Sequence, residues 1–207
     1  MVVVEVVAST PNAEHLIETA YLQCESRWEN IEEKRPSKTF DERIEKMFKD
    51  GHFSVLDHPS ITFSIRRISR ATSHQLVRHR IGVGISQMSM RYNRMDMEDM
   101  IVPQPIKDSG NEELYLKMAG LCVGTYQALM KEAKVPMDEA RYILPNGMMT
   151  QLVMTFDARA LMHFLRLRLG HHGRPSKEMQ EVARQMYEYA KIWMPTVFDE
   201  RYKQYWE

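Results

Sequence analysis

Three consecutive basic residues near the middle of the chain carry side chains that bind anions. Arg78, His79 and Arg80 bring two guanidiniums and an imidazole within three positions, and a folded protein keeps such a group together only with carboxylates or a bound phosphate nearby. Gly82 and Gly84 follow, so a ligand can approach the main chain and its N–H groups. The pattern predicts an anion site. From these residues alone, the alternative is that both arginines are ordinary solvated charges at a helix end, where cations suit the dipole.

The residues on both sides of this cluster add further polar groups. A helix is predicted over 69–78, which places Gln75 one turn before Arg78, so that both side chains reach the same ligand. After the glycines, polar residues alternate with apolar ones in a partly strand-like pattern. The polar residues, which can donate or accept hydrogen bonds, are Ser86, Gln87, Ser89 and Arg91.

Hydrophobic periodicity predicts the elements that must position these side chains. Alternation with period two, or a β-branched run, indicates a strand, and helical spacing of apolar residues indicates a helix. The predicted strands are 2–7, 61–66 and 148–156, the predicted helices are 13–24, 39–49, 69–78, 112–134, 136–144, 157–169 and 179–193, and 101–110 is predicted to be a loop. We therefore expect the α+β class, with a small mixed or antiparallel sheet flanked by long helices, in one domain spanning residues 1–207.

Composition argues against several classes of function. The chain has 207 residues, a formal net charge of zero and a pI near 7.1, so no global field attracts DNA, RNA or an anionic membrane, and any nucleic-acid component is expected to be as small as a nucleotide. No apolar run approaches the length of a membrane span, and the first residues lack the basic start and cleavage site of a signal peptide. We expect a cytoplasmic protein with no membrane or nucleic-acid partner.

Several spaced motifs together indicate a family. RHR followed by a short spacer and SxRY, at 89–92, resembles the signature of flavin-dependent thymidylate synthases. Upstream, GHFSVLDH at 51–58 is similar to the family's GHxSxxEH segment. Downstream, RYILP at 141–145 and DARALMHFLRLR at 157–168 resemble its later motifs, in the same order. The match covers most of the chain, and such a set of motifs is far more specific than RHR alone.

The resemblance implies the fold of that family and its reaction. That reaction is the reductive methylation of dUMP to dTMP, with a one-carbon unit from 5,10-methylenetetrahydrofolate and a hydride from FAD, which NADPH reduces. The resemblance also implies a homotetramer whose active sites lie where subunits meet. A chain of this size has limited room to enclose three ligands by itself, which agrees with a shared site.

The resemblance also assigns roles to individual residues. It places at the flavin His52, Ser54, Asp57, Arg78, His79, Arg80, Asp157, Arg159, His163 and His172. It places at the nucleotide Gln75, Gln87, Ser89, Met90, Arg91, Arg141 and Arg168. Arg168, Ser89 and His79 are the residues expected to serve the chemistry. The Arg168 guanidinium, placed at the ring carbonyl, would polarise the pyrimidine toward hydride attack. His79 is expected on the folate and nicotinamide side, and Ser89 is expected at the catalytic centre without acting as a nucleophile.

Some positions depart from the family pattern. Asp57 replaces the usual glutamate, and Asp157 and His163 stand where asparagines are usual, so the charge states there become a question for the structure. The spacer after RHR is one residue longer than the familiar one. Either Ser86 or Ser89 is therefore the family's serine, and the SxRY register favours Ser89.

The cysteines and the histidine pair do not suggest a metal site. Cys24 and Cys122 lie far apart in sequence, in no metal-spaced or redox-spaced pair, and each is expected to be a buried thiol on an amphipathic helix. His171 and His172 are adjacent, in a 169–177 segment longer than the family's loop, and suit a loop better than one metal. The usual route to methylating uracil adds a cysteine thiolate to the ring. A pyrimidine substrate here would need another means of activation.

Two rival functions remain open at this point. The first is a flavin- and folate-dependent hydroxymethylation of a deoxypyrimidine nucleotide, with the longer spacer and the histidine segment reshaping the pocket. The second is a non-catalytic relative that binds nucleotide or RNA through the basic cluster, although the neutral net charge argues against RNA.

Overall fold

A four-stranded antiparallel sheet organises the structure, a computed structural model that describes residues 1–25, 39–169 and 175–206. The strands are β1 (Val3–Ser9), β2 (Ser60–Ser69), β3 (Val83–Gln87) and β4 (Met149–Asp157), in the order β1-β2-β4-β3. The predicted α+β class, with a small antiparallel sheet flanked by helices, is confirmed. The sequence showed β3 only as a partial alternation, because Gly82 before the strand and Gly84 within it have no side chains that would indicate a buried face.

Helices precede, connect and follow these strands. Their bounds are α1 (Ala13–Glu25), α2 (Phe40–Asp50), α3 (Arg70–Leu76), α4 (Gln104–Asp108), α5 (Glu112–Lys131), α6 (Met137–Ala140), α7 (Ala158–Leu169), α8 (Lys177–Trp193) and α9 (Lys203–Trp206). None of the helices in the described ranges is long and apolar enough to cross a membrane.

Two helix predictions and one prediction about a cysteine need correction. The prolines of 101–110 indicated a loop, but Pro103 and Pro105 lie at the start of α4, where a missing N–H costs nothing. The helix predicted to reach Lys134 ends at Lys131, and Lys134 takes a positive φ of 56°. Cys24 is exposed, contrary to the prediction of a buried thiol, and Cys122 is half-buried.

The strand register brings the ends of separate motifs together. In the β2–β4 pair, Ser60 lies opposite Asp157 and Ser69 lies opposite Met149. In the β3–β4 pair, Val83 lies opposite Phe156. The loop that follows α3 and carries the basic cluster therefore returns to the sheet beside the end of β4, where α7 begins.

The main core lies between one face of the sheet and helices α7 and α8. Phe156 of β4 and Phe164 of α7 are fully buried, and their ring centroids are 5.6 Å apart. Burying one phenylalanine of this kind contributes about 2–3 kcal/mol. Since α7 carries several predicted site residues, this packing fixes the helix on which they stand.

A second, smaller core underlies the segment from 88 to 100. It is rich in methionine: Met90, Met95 and Met148 are buried with Tyr126 of α5. The Tyr126 hydroxyl is buried and has no hydrogen-bond partner among the described residues. An unsatisfied buried hydroxyl is destabilising, because it loses its hydrogen bonds to water without replacement.

Replacing Tyr126 by phenylalanine is therefore expected to raise the free energy of unfolding by about 1 kcal/mol. Tyr115 offers a matched control on the same helix, since its hydroxyl donates to the carbonyl oxygen of Ile101 at 3.1 Å, and Tyr115→Phe should lower that free energy by about 1 kcal/mol. Denaturant unfolding of the two variants beside the parent protein checks this. Equal destabilisation by both changes would show that Tyr126 has a partner after all.

Candidate active site

Two residues predicted to contact the nucleotide, Met90 and Arg141, line an open cleft of about 430 Å³. We call it the cationic cleft. Its lining residues are Arg70, His74, Met90, Arg141, Tyr142, Leu144, Pro145 and Asn146. Burial lowers the pKa of Arg70, and the nearby charge of Arg141 adds to the effect. Two guanidiniums close enough to repel each other favour a bound anion between them.

The SxRY segment brings a third arginine toward this cleft. Ser89 closes a tight turn: its Oγ accepts from the Arg91 N–H at 3.2 Å, and its carbonyl oxygen accepts from the Asn93 side chain at 2.8 Å. Arg91 Nη2 lies 3.5 Å from a carboxylate oxygen of Asp138, whereas Arg141 Nε donates to the Asp138 carbonyl oxygen at 3.0 Å. Two motifs that are about fifty residues apart in sequence thus meet at one aspartate.

Other residues predicted to contact the nucleotide lie elsewhere around α3. Gln87 uses its side-chain nitrogen within the protein, donating to Ser73 Oγ at 2.9 Å and to Thr150 Oγ1 at 3.2 Å, so that group ties β3 to α3 and β4. Gln75 is half-buried on α3. Ser86 is exposed among residues of the open sheet face. Ser89, by contrast, directly precedes Met90 of the cationic cleft.

A second group, which we call the His79 group, consists of His79, His163, Phe164 and Arg168. Arg168 Nη2 lies 3.1 Å from His79 Nε2. The His79 ring stands edge-on to Phe164, with centroids 5.0 Å apart, and its centroid lies 6.2 Å from that of His163. Through Phe164 the group rests directly on the main core.

The electrostatics of this group determine its hydrogen bond. Burial, with the nearby charges of Arg168 and His163, lowers the pKa of His79 from 6.5 to about 4. His79 is therefore neutral near pH 7, and since a guanidinium only donates, His79 Nε2 accepts from Arg168. Burial also lowers the pKa of Arg168, with Arg78 as a second cause. Arg168 Nε is buried and has no partner among the described residues.

The lowered pKa of His79 predicts a loss of stability in acid. Between pH 6.5 and pH 4 the unfolded chain binds a proton at this histidine that the folded chain does not, so the free energy of unfolding falls as the pH falls through that window. Because the ring is partly exposed, we expect on the order of 1–2 kcal/mol rather than the full linkage value. Unfolding curves of the parent protein and His79→Asn across this range check it. A constant difference between the two proteins would contradict the prediction.

Asp157 lies where β4 ends and α7 begins. Its Oδ1 accepts from the Ala160 N–H at 2.6 Å, so it caps α7 as its position predicts. Its carboxylate also presses against Gly82, where φ is +68° and an added Cβ would lie 1.9 Å from Oδ2. Burial raises the pKa of Asp157, and the charge of Asp57 contributes in the same direction.

The remaining residues predicted to hold a flavin lie at an exposed surface. Asp57 and Arg159 face each other, with Arg159 Nη1 3.5 Å from a carboxylate oxygen of Asp57. Ser54 lies in the 3₁₀ turn Phe53–Asp57, and the His52 ring centroid lies 5.5 Å from that of Tyr21. The exposed members of the predicted set are Ser54, Asp57, Arg78, Arg80, Arg159 and His163. His172 lies outside the described residues.

Sequence reasoning missed three residues of the cationic cleft. Arg70, His74 and Tyr142 were assigned no role, although all three are polar and Tyr142 lies within the RYILP motif. Arg70 and His74 are four apart, and this helical spacing on α3 could have indicated a shared face. The RYILP motif forms the other side of the cleft, and only the folded structure shows that it lies next to α3.

Comparisons with known proteins agree on one family. The family model described as "Thymidylate synthase complementing protein" matches residues 5–196. The flavin-dependent thymidylate synthase of Geobacter sulfurreducens is 36% identical over 194 residues, covering 91% of this chain and 82% of that one. The enzyme of the same name from Saccharolobus solfataricus is 37% identical over 202 residues, covering 96% and 76%.

Solved structures show the same architecture. The crystal structure of PolB, a UMP/dUMP methylase from Streptomyces cacaoi bound with 5-Br dUMP, superposes with a TM-score of 0.78. Its sequence is 24% identical, and the superposition covers 96% of this chain and 93% of PolB. The likeness extends over the whole sheet and its helices and therefore concerns the fold as a unit.

Proposed function

The chain belongs to the thymidylate synthase complementing protein family, and on that premise we propose that it methylates dUMP reductively to dTMP. In this proposal FAD is the flavin, 5,10-methylenetetrahydrofolate is the carbon donor and NADPH is the reductant. The observation that carries the proposal is the contact between Arg168 and neutral His79, which joins two family motifs 89 residues apart and leaves one buried donor available.

The cationic cleft suits the phosphate of a nucleotide. Arg70 and Arg141 line it. Arg91 lies near Arg141, because Arg91 contacts the carboxylate of Asp138 and Arg141 donates to the carbonyl oxygen of the same residue. A monophosphate carries up to two charges and accepts bidentate hydrogen bonds, which is the chemistry that guanidiniums recognise best. Met90 and Leu144 supply apolar contact beside the charges. The cleft therefore fits an anionic ligand with an apolar part.

Arg168 is the residue we assign to the pyrimidine ring. Its Nη2 is held by His79, whereas its buried Nε has no partner among the described residues, and a bound ligand would supply the acceptor that this donor lacks. A guanidinium at a ring carbonyl stabilises the negative charge that develops there during hydride attack. No thiolate is needed for such activation, and neither cysteine belongs to the cationic cleft or the His79 group.

The His79 group and the surface around Asp157 fit a flavin. The fit rests on the exposed ring of His163, whose centroid lies 6.2 Å from that of His79, and on the exposed Arg159–Asp57 pair. Arg78, Arg80 and Arg159 would bind its phosphates, and His163 and Asp157 would hydrogen-bond its polar edge. When bound, the flavin supplies the hydride.

A homotetramer with shared active sites is part of the proposal. The cationic cleft lies open on a single chain, and large apolar side chains in or near the two groups are exposed: Ile81 at 93%, Tyr92 at 81% and Tyr142 at 81%. Burying such side chains against a second copy would be favourable and would exclude water from the ligands. We further propose that the chain forms one domain and works in the cytoplasm.

The function is tested by incubating the purified protein with dUMP, FAD, NADPH and 5,10-methylenetetrahydrofolate and measuring the mass of the nucleotide that is formed. Gain of a methyl group is the expected result, and omitting NADPH or the folate in turn shows whether each is required. Gain of a hydroxymethyl group would establish the rival reaction. An unchanged nucleotide in the presence of bound flavin would mean a non-catalytic binder.

A further inference from the structure

The amino-terminal N–H groups of α3 all have partners within the protein. Arg70 donates to the carbonyl oxygen of Met148 at 2.9 Å, and Ala71 donates to that of Asn146 at 3.0 Å. Thr72 donates to the Ser69 hydroxyl at 3.1 Å. A helix start with its donors occupied does not bind a phosphate. Side chains rather than these N–H groups must therefore hold an anion in the cleft, and the position of the two from α3, Arg70 and His74, depends on what holds the helix.

Glu178 of α8 holds the start of this helix. Its carboxylate accepts from the Ser69 N–H at 2.9 Å and from the Ser69 hydroxyl at 2.5 Å, and it also accepts from the Thr72 hydroxyl. Hydrogen bonds to an ionised acceptor are roughly twice as strong as neutral ones. One half-buried carboxylate thus takes three donors from the first turn of α3.

The position of Glu178 in the chain links α8 to the helix that lines the cationic cleft. It is the second residue of α8, ten positions after Arg168 of the His79 group and nine after Leu169, where α7 ends. The helix it holds carries Arg70 and His74 into the cationic cleft and continues toward His79. Glu178 is therefore connected to the cleft through α3.

We propose that Glu178 is a positioning residue for nucleotide binding, which rests on the proposed function. It fixes the position and orientation of the first turn of α3, so that Arg70 and His74 face Arg141 across the cleft. It does not touch the substrate. We call the hydrogen bonds of the Glu178 carboxylate to Ser69 and Thr72 the Glu178 clamp. Without this clamp, α3 keeps its backbone hydrogen bonds to residues 146 and 148 but is no longer bonded to α8, so the cleft is less preorganised for its ligand.

Glu14 provides a matched control for a merely structural role. Its carboxylate also joins distant segments, accepting from the Thr196 N–H at 2.6 Å, from the Thr196 hydroxyl at 3.4 Å and from the Val197 N–H at 3.4 Å. These contacts tie α1 to the segment after α8, and none involves α3. Glu14→Ala should lower stability without altering nucleotide binding.

The test compares Glu178→Ala, Glu178→Gln and Glu14→Ala in the flavin-loaded enzyme. We expect Glu178→Ala to raise the KM for dUMP about tenfold, with kcat and the Kd for FAD changed less than about threefold. Glu178→Gln keeps an acceptor for the Ser69 N–H, so it should restore KM to within about threefold of the parent value. Glu14→Ala should leave KM unchanged.

A second readout does not depend on catalysis. Hydrogen exchange of the amides 69–76 should speed up about tenfold in Glu178→Ala and stay unchanged in Glu14→Ala. If exchange of these amides speeds up in Glu178→Ala while the KM for dUMP stays unchanged, Glu178 does not position the nucleotide site. If their exchange stays unchanged, Glu178 does not hold the start of α3. If the parent protein makes no dTMP, the proposed function fails, and the exchange data together with the Kd for dUMP still decide whether Glu178 positions a nucleotide.

Discussion

Replacing Arg168 by alanine is expected to lower kcat/KM for dTMP formation by about 100- to 1,000-fold. The variant removes the guanidinium that we assign to the pyrimidine carbonyl, together with the buried Nε that has no partner among the described residues. Steady-state kinetics with dUMP measure the loss. Arg168→Lys should recover little of it, because a single ammonium cannot reproduce the planar fork that serves His79 and a ligand at once.

The same variant has an effect that can be seen without turnover. The charge of Arg168 contributes to lowering the pKa of His79 to about 4, after burial. Removing that charge should move the pKa of His79 upward toward 6.5, which NMR titration of the imidazole can follow. Arg166→Ala is the control, since that exposed arginine stands on another side of α7. A folded, flavin-binding Arg168→Ala enzyme with nearly full activity would contradict the assignment.

Replacing Gly82 by alanine is expected to lower the free energy of unfolding by about 2–3 kcal/mol. Two costs add. Gly82 has a φ of +68°, which an L side chain adopts with strain, and its new Cβ would overlap the Asp157 carboxylate. If Asp157 moves away, it gives up its hydrogen bond to the Ala160 N–H, and α7 loses its cap. Flavin binding should weaken as well, because Asp157 and α7 belong to the proposed flavin surface.

Gly84 is the matched control for this change. It lies two residues further on, without a positive φ, and its nearest neighbour to an added Cβ is Thr155 at 3.7 Å. Gly84→Ala should therefore stay within about 0.5 kcal/mol of the parent protein. Denaturant unfolding and flavin titration of both variants decide the matter. Equal effects of the two substitutions would mean that the contact with Asp157 does not constrain the loop.

Local sequence was a good guide where a single element decides the outcome. Alternation along β2 and β4, and helical spacing along α7, predicted the elements that carry the site, and Asp157 caps α7 as its position indicated. Two local predictions failed. Pro103 and Pro105 begin a helix rather than a loop, and Cys24 is exposed because the buried face of α1 ends at Tyr21 and Leu22.

The sequence by itself determined the family, the α+β class and the motifs around Arg78, Arg91 and Arg168, because residue type and spacing are local properties of the chain. Only the tertiary structure decided which motifs meet. Antiparallel register sets Gly82 against Asp157, burial against Phe164 makes His79 a neutral acceptor for Arg168, and Glu178 reaches back across 109 positions to Ser69. Such contacts depend on distance and desolvation in the folded state, which no short stretch of sequence encodes.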